Sequence, residues 1–171
     1  MGTSVGFAIH DLRERPQHAD AVAARIWRAF WRHKGKPLKA IRDGLENFLE
    51  PGARIPFALV AELDGAACGN VLVVENDEPA RPDLTPWIAA LWVDEAIRNR
   101  GIAAALLQQA IDRSAALGVE RLHLSSRPGL RDFYVRLGWR PIDHDVGEAG
   151  LVVYDYIIPG APRSVPSIMR L

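Results

Sequence analysis

Apolar residues recur along this chain in two rhythms, and the points where one gives way to the other divide it into elements. Over residues 21–33, Val22, Ile26 and Phe30 fall on one face at four-residue spacing, which predicts a helix; residues 16–20 supply its start and Gly35 its end. Leu38, Ile41, Leu45 and Leu49 repeat the pattern in a second helix over 38–49, stopped by Pro51-Gly52. A short apolar run at 5–11 precedes both as an opening strand. The rhythm then changes. Residues 57–62 and 67–75 are runs rich in Val and Leu, joined by Asp64-Gly65, a two-residue hairpin signal. After a proline-rich loop, 87–93 is a third apolar run. Residues 101–117 form a helix with Ile102, Leu106, Ala110 and Leu117 inward and Gly118 at its end. A strand at 119–125, a short helix at 130–137, strands at 139–142 and 151–158, and a last strand candidate at 165–169 complete the series.

Two helices, a hairpin, then strand, helix, strand, helix and strands imply an α/β (α+β) fold, a mixed sheet with helices on both faces. The 171 residues suit one domain over 1–171, with no internal repeat. Apolar residues make up 49% and charged residues 25%, so neither disorder nor a membrane protein is expected. The formal net charge is zero, which offers no general attraction to nucleic acid or anionic lipid. Cys68 is the only cysteine and has no His or Cys at ligand spacing, so neither a disulfide nor a metal is expected. No basic and apolar leader opens the chain and no run approaches the roughly 20 apolar residues of a membrane span, so a cytoplasmic protein is expected.

The most informative stretch is Val93-Asp94-Glu95-Ala96-Ile97-Arg98-Asn99-Arg100-Gly101-Ile102-Ala103-Ala104. A buried strand ends, a polar loop follows, and a helix opens at Gly101 with small residues in its first turn. Backbone N–H groups at a helix start lack intrahelical partners and the dipole favours negative charge there, so a pyrophosphate suits the turn. Arg98 and Arg100 can add charge-assisted hydrogen bonds. The competing reading is a helix that simply begins with Gly and Ala beside solvated arginines. No Gly-Lys-Ser/Thr follows and the three-glycine dinucleotide fingerprint is missing.

Arg98-x-x-Gly101-x-Ala103 in this setting resembles the Arg/Gln-x-x-Gly-x-Gly/Ala signature of the GNAT superfamily of N-acetyltransferases. Further on, Arg131-Asp132-Phe133-Tyr134-Val135-Arg136-Leu137-Gly138-Trp139 is similar to the family's second hallmark. The likeness spans 57–142, extends to 82–87 and 165–171 for one bacterial branch, and is one of pattern only over the first fifty residues. It implies a mostly antiparallel mixed sheet and acetyl-CoA as cosubstrate without a metal. It also implies that Arg98, Asn99, Arg100, Gly101, Ile102, Ala103 and Ala104 surround the pyrophosphate. Trp92 and Val93 would stand at a splayed strand end along the pantetheine arm, with a backbone N–H near Val93 polarising the thioester carbonyl. Phe133 would pack inward and belong with the cofactor-binding residues. Tyr134, a phenol with an ordinary pKa of about 10, would donate to the departing thiolate. The implied activity is transfer of acetyl from acetyl-CoA to a primary amine of a small molecule or peptide N-terminus by direct attack. The alternative is a CoA-binding regulatory or interaction module. A homodimer is left open.

The chain departs from the family pattern in places. The strand at 87–93 carries no carboxylate, so the general base is open among Asp83, Glu75, water and an amine that enters neutral. Arg127 stands where many relatives place asparagine; Ser125 and Ser126 offer hydroxyls to pantetheine or acceptor, or serve as ordinary strand-end residues. Trp27, Phe30 and Trp31, with Arg28, Arg32, His33 and Lys34, make an aromatic and basic helix. It reads either as a wall for an aromatic or anionic acceptor or as core aromatics with a solvated cationic face.

Overall fold

The computed structural model describes residues 6–160, so the strand candidate at 165–169 and the C-terminal part of the family likeness lie outside the described residues. The described chain runs β1 (Ala8–Asp11), α1 (Ala19–Ile26), α2 (Leu38–Gly44), β2 (Phe57–Leu63), β3 (Ala66–Val74), β4 (Trp87–Val93), α3 (Ile102–Ala116), β5 (Arg121–Ser126), α4 (Arg131–Arg136), β6 (Arg140–Val146) and β7 (Leu151–Ile157). The seven strands form one sheet in the order β1-β2-β3-β4-β5-β7-β6, antiparallel everywhere except between β4 and β5.

Period-two alternation sorts side chains between two layers. On one face Phe57, Leu59, Val71, Val73, Ile88, Leu122, Leu124 and Tyr154 meet Leu106, Leu107, Ala110 and Ile111 of α3, with Tyr134 of α4 in the same cluster. On the other, Ala58, Val60 and Leu72 meet Val22, Ala23 and Ile26 of α1 and Leu45 and Phe48 beyond α2. Central strands buried on both sides read as continuous apolar runs, which is why the hairpin was legible.

Two helices expected to be regular are not. The first is α-helical only to Ile26, then passes through a π turn at Trp27–Trp31 and a 3-10 turn at Arg32–Lys34 before Gly35 ends it at φ 73°. The second tightens to 3-10 geometry at Leu45–Phe48. Among the described residues no helix is long and apolar enough to cross a membrane.

The feature that positions the site is a break in the sheet. β4 and β5 share a single registered pair, Trp87 with His123, and then part. β4 stays paired to β3 as far as Val93 with Gly69, while β5 follows β7 as far as Ser126 with Val152. Within β4 the register against β3 slips between Asn70 and Leu72, placing Ala90 and Leu91 opposite Val71, and Ala90 takes φ 50°. This is a β-bulge, which bends a strand and releases it from regular pairing. Gly69 serves the same place: a Cβ there would meet Trp92 O at 3.1 Å and Leu106 Cδ1 at 3.3 Å, so the missing side chain lets α3 close onto the end of β4.

Candidate active site

The turn after β4 has the geometry its sequence suggests. A 3-10 turn at Glu95–Ile97 leads to Asn99 and Gly101, both at positive φ (63° and 78°), and α3 begins at Ile102. Asparagine and glycine are the residues that tolerate this left-handed conformation, so Asn99 and Gly101 are chosen by the backbone itself. The first helical bond runs from Ala105 N to Gly101 O at 3.0 Å. Among the described residues the amides from Asn99 to Ala104 have no backbone acceptor, and a Cβ on Gly101 would face open space. Successive amides around left-handed residues, continued by a helix start, form a concavity suited to an anion.

The arginines of the turn divide their tasks. Arg98 lays its guanidinium 4.5 Å from the centre of the Trp92 ring and donates from Nε to Val93 O at 2.9 Å, so here it braces the strand end. Arg100 is exposed. Trp92 also receives the edge of Phe30 at 5.7 Å, which ties the π turn of the first helix to the end of β4.

Beneath this lies a buried polar network that the sequence reading did not single out. Arg25 of α1, only 5% exposed, donates from Nε to Asp94 Oδ1 at 2.7 Å, and from Nη2 to Asp94 Oδ2 at 3.1 Å and Ala67 O at 2.7 Å. Its Nη1 reaches Asn70 Oδ1 at 3.3 Å, and Asn70 Nδ2 donates to Ala90 O at 2.8 Å. Asp94 N donates to Cys68 O at 2.9 Å. One guanidinium thus joins α1, the bulge and the first residue of the turn after β4. A signal for it was present: Arg25 interrupts the apolar stripe between Val22 and Ile26, and Asn70 interrupts an apolar strand.

Tyr134 is buried in α4, its ring 5.0 Å from Phe133 and 5.4 Å from Tyr154. The expectation that Phe133 is the inward member is met only in part, because Phe133 is half-buried and Tyr134 is the deeper of the two. Burial, with a smaller contribution from Tyr154, pushes the phenol up to about 12, so it stays protonated at neutral pH. Ser126 is buried and its hydroxyl donates to Arg127 O at 3.1 Å; Ser125 is half-buried.

The two loop carboxylates stand differently. Asp83 accepts from Arg81 Nε at 3.0 Å and from Nη2 at 2.9 Å, which holds its carboxyl below the usual range and makes it a poor proton acceptor. Glu75 is exposed and accepts from the Thr85 hydroxyl at 3.1 Å. His123 is buried at the root of the β4–β5 gap, with Nδ1 3.2 Å from Pro86 O and, among the described residues, no hydrogen-bond partner at Nε2.

On the α1 face, an open concavity of about 410 Å³ lies between the first helix and the end of β4, lined by Arg25, Arg28, Ala29, Trp92, Asp94 and Glu95. The aromatic and basic helix beside it is half-buried rather than core. Lys34 and Lys36 sit 4.9 and 4.2 Å from the Trp31 ring centre, and Arg32 lies 5.6 Å from that of Trp27.

Among the described residues the mixed sheet opens between its only parallel pair, with free amides where β4 exits. The profile described as the acetyltransferase (GNAT) family matches residues 19–139, and the chain belongs to that family. No curated protein matches it in sequence. Among solved structures it is similar to a GCN5-related N-acetyltransferase from Ralstonia eutropha JMP134, with 25% identity, 80% of this chain and 94% of that chain covered, and a TM-score of 0.59. It is also similar in fold to an aminoglycoside 6'-N-acetyltransferase complexed with coenzyme A (13% identity, 91% and 99% covered, TM-score 0.72). An acetyltransferase from Streptococcus pneumoniae shares the fold too (15% identity, 90% and 99% covered, TM-score 0.67).

Proposed function

We propose that this protein transfers the acetyl group of acetyl-CoA to a primary amine of a small molecule or peptide N-terminus. The observation that carries the reading is the coincidence of the open β4–β5 gap with unpaired amides at the start of α3. The pyrophosphate is assigned to the amides of Asn99 to Ala104, and the pantetheine arm to the gap beside Trp92 and Val93. The amine enters from the α1 face through the concavity beside Trp92, so the two substrates meet at the bulge. CoA in the similar aminoglycoside enzyme supports the assignment of the cosubstrate.

In the transfer, the amine nitrogen bonds to the thioester carbonyl carbon, the carbon–sulfur bond breaks, and sulfur leaves with the bonding pair. A backbone N–H near Val93 stabilises the carbonyl oxygen as charge develops on it. The Tyr134 hydroxyl, kept neutral by burial, donates to the sulfur. With its pKa pushed to about 12 it is a weaker acid than a thiol of about 8.5, so its chief effect is a hydrogen bond that strengthens as thiolate charge grows.

Free-thiol release from acetyl-CoA across polyamine, amino-acid, aminosugar and N-terminal peptide acceptors tests the reading. Tyr134→Phe is expected to lower kcat by about 100-fold with little change in acetyl-CoA affinity. An unchanged rate removes Tyr134 from the chemistry. Saturating acetyl-CoA is expected to raise the melting temperature, since ligand at 100 times Kd adds about 2.7 kcal/mol to stability. No shift counts against the cosubstrate, while binding without turnover on every acceptor favours a CoA-binding regulatory module.

A further inference from the structure

We propose that a concavity at the far end of α3 binds a small organic carboxylate with an apolar body, an aryl or branched-chain acid. The 15 residues of α3, at roughly 1.5 Å each, hold it about 22 Å from the turn after β4, so it is a second site. Its volume is about 310 Å³, at the small end of the roughly 300–1,000 Å³ range of ligand sites. Three arginines from separate segments converge on it: Arg13 after β1, Arg54 in the loop before β2, and Arg113 near the end of α3. The wall between them is apolar, made by Ala53, Ala116 and Leu117 with Phe57 buried beneath.

Hydrogen bonding separates the arginines that build the cavity from those that serve it. Every nitrogen of Arg13 is engaged: Nε donates to Glu50 O at 2.6 Å, Nη1 to Asp11 Oδ2 at 3.2 Å and Nη2 to Pro56 O at 2.7 Å. It ties the loop before β2 to the end of β1. Arg113 donates from Nη1 to the same Asp11 oxygen, and its guanidinium lies 5.8 Å from the centre of the Phe57 ring. Among the described residues, Nε and Nη2 of Arg113 have no acceptor, and the Arg54 guanidinium makes no hydrogen bond. The ion pair of Arg54 with Glu50 is loose, at 4.0 Å with both side chains more than half exposed. Asp11, buried, thus faces two guanidinium groups with a single negative charge, and Arg54 adds to the excess.

A ligand carboxylate matches that excess, since a guanidinium fork holds two carboxylate oxygens in one plane. Carbonyls at a helix end repel an anion, yet here they are taken: Arg113 O accepts from Leu117 N at 3.2 Å, Ser114 O from Val119 N at 3.0 Å and Ala115 O from Gly118 N at 2.9 Å. An inorganic anion satisfies the arginines alone. An aryl or branched body also covers Ala53, Ala116 and Leu117, removing their apolar surface from water.

The probe is phenylacetate, titrated into the full isotope-labelled chain while backbone amide shifts are followed by NMR. Saturable shifts are expected at residues 53–57 and 113–117, with a Kd of about 1 mM for a probe of about ten non-hydrogen atoms. Phenylacetamide keeps the shape without the charge, and inorganic phosphate keeps charge without the ring. Each is expected to bind at least about tenfold more weakly. Arg113→Gln also releases Asp11, so the charge is tested by Arg54→Gln at an exposed position, expected to weaken phenylacetate about tenfold. Ala116→Leu, at an exposed helical position, fills the cavity with all three arginines in place and is expected to abolish the shifts. Shifts centred on residues 92–104, or none at about ten times the expected Kd, overturn the proposal. So does phenylacetamide or phosphate binding as tightly as phenylacetate, or an unchanged Kd in either Arg54→Gln or Ala116→Leu.

Discussion

Replacement of Gly101 by glutamate is expected to weaken acetyl-CoA binding by at least about 100-fold, or 2.7 kcal/mol, because it sets a carboxylate where the amides await phosphate charge. The fold should tolerate the change. A Cβ at this position meets nothing within 4 Å, and the remaining cost is that of a side chain at φ 78°, about 1–2 kcal/mol. Gly101→Ala separates the two effects, since it carries the backbone strain without the charge and should lose only a few-fold in affinity. Titration calorimetry with CoA reads both variants. Equal affinity in the glutamate variant and the parent would remove the pyrophosphate from this turn.

Loss of the Arg25 side chain has the other large effect. Arg25→Ala leaves Ala67 O and Asn70 Oδ1 without their buried donor and frees Asp94 from the strand it anchors. Breaking a buried pair costs about 3–5 kcal/mol, reduced here to about 2–3 because Asp94 is 42% exposed and can hydrate. At roughly 2–4 °C per kcal/mol for a chain of this size, the melting temperature should fall by about 5–10 °C. Arg25→Lys restores the charge but not the fork, and should recover part of the loss. The bulge depends on the same network through Asn70, so acetyl-CoA affinity should decline along with stability. A melting temperature within a degree of the parent would show that the network holds nothing together. Asn70→Ala removes both the tie to Ala90 O and one acceptor of Arg25, and is expected to cost about 1–3 kcal/mol, for a partly buried carbonyl and a buried donor left unpaired.

How far each element could be read from sequence follows from what its neighbours demand of it. The hairpin of β2 and β3 was plain because both faces are covered and Asp64-Gly65 supplies the turn. β6 was cut short at residue 142 because Asp143, His144 and Asp145 look like loop, yet the strand continues to Val146. Among the described residues it lies at the edge of the sheet, where only one side has a partner strand and charged residues deter further pairing. The first helix kept its apolar face but not its uniform pitch, since the π turn depends on how Phe30 and Trp31 seat against the second layer. At the candidate site, the turn from Arg98 to Ala104 and the tyrosine of α4 could be singled out because each is a local motif. Arg25 and Asn70 were passed over, being polar residues whose surroundings come from distant segments.

Local order and chemistry therefore belong to the sequence: the succession of helices and strands, the positive-φ residues that shape the turn after β4, and the phenol in α4. Each is set by neighbours a few residues away, through steric preference and periodic burial. The tertiary structure alone decided that β7 enters between β5 and β6, that β4 and β5 part after one pair, and that Arg25 meets Asp94 from 69 residues away. These are outcomes of which surfaces pack together, and a polar side chain acquires a partner, or is left without one, only when that packing is complete.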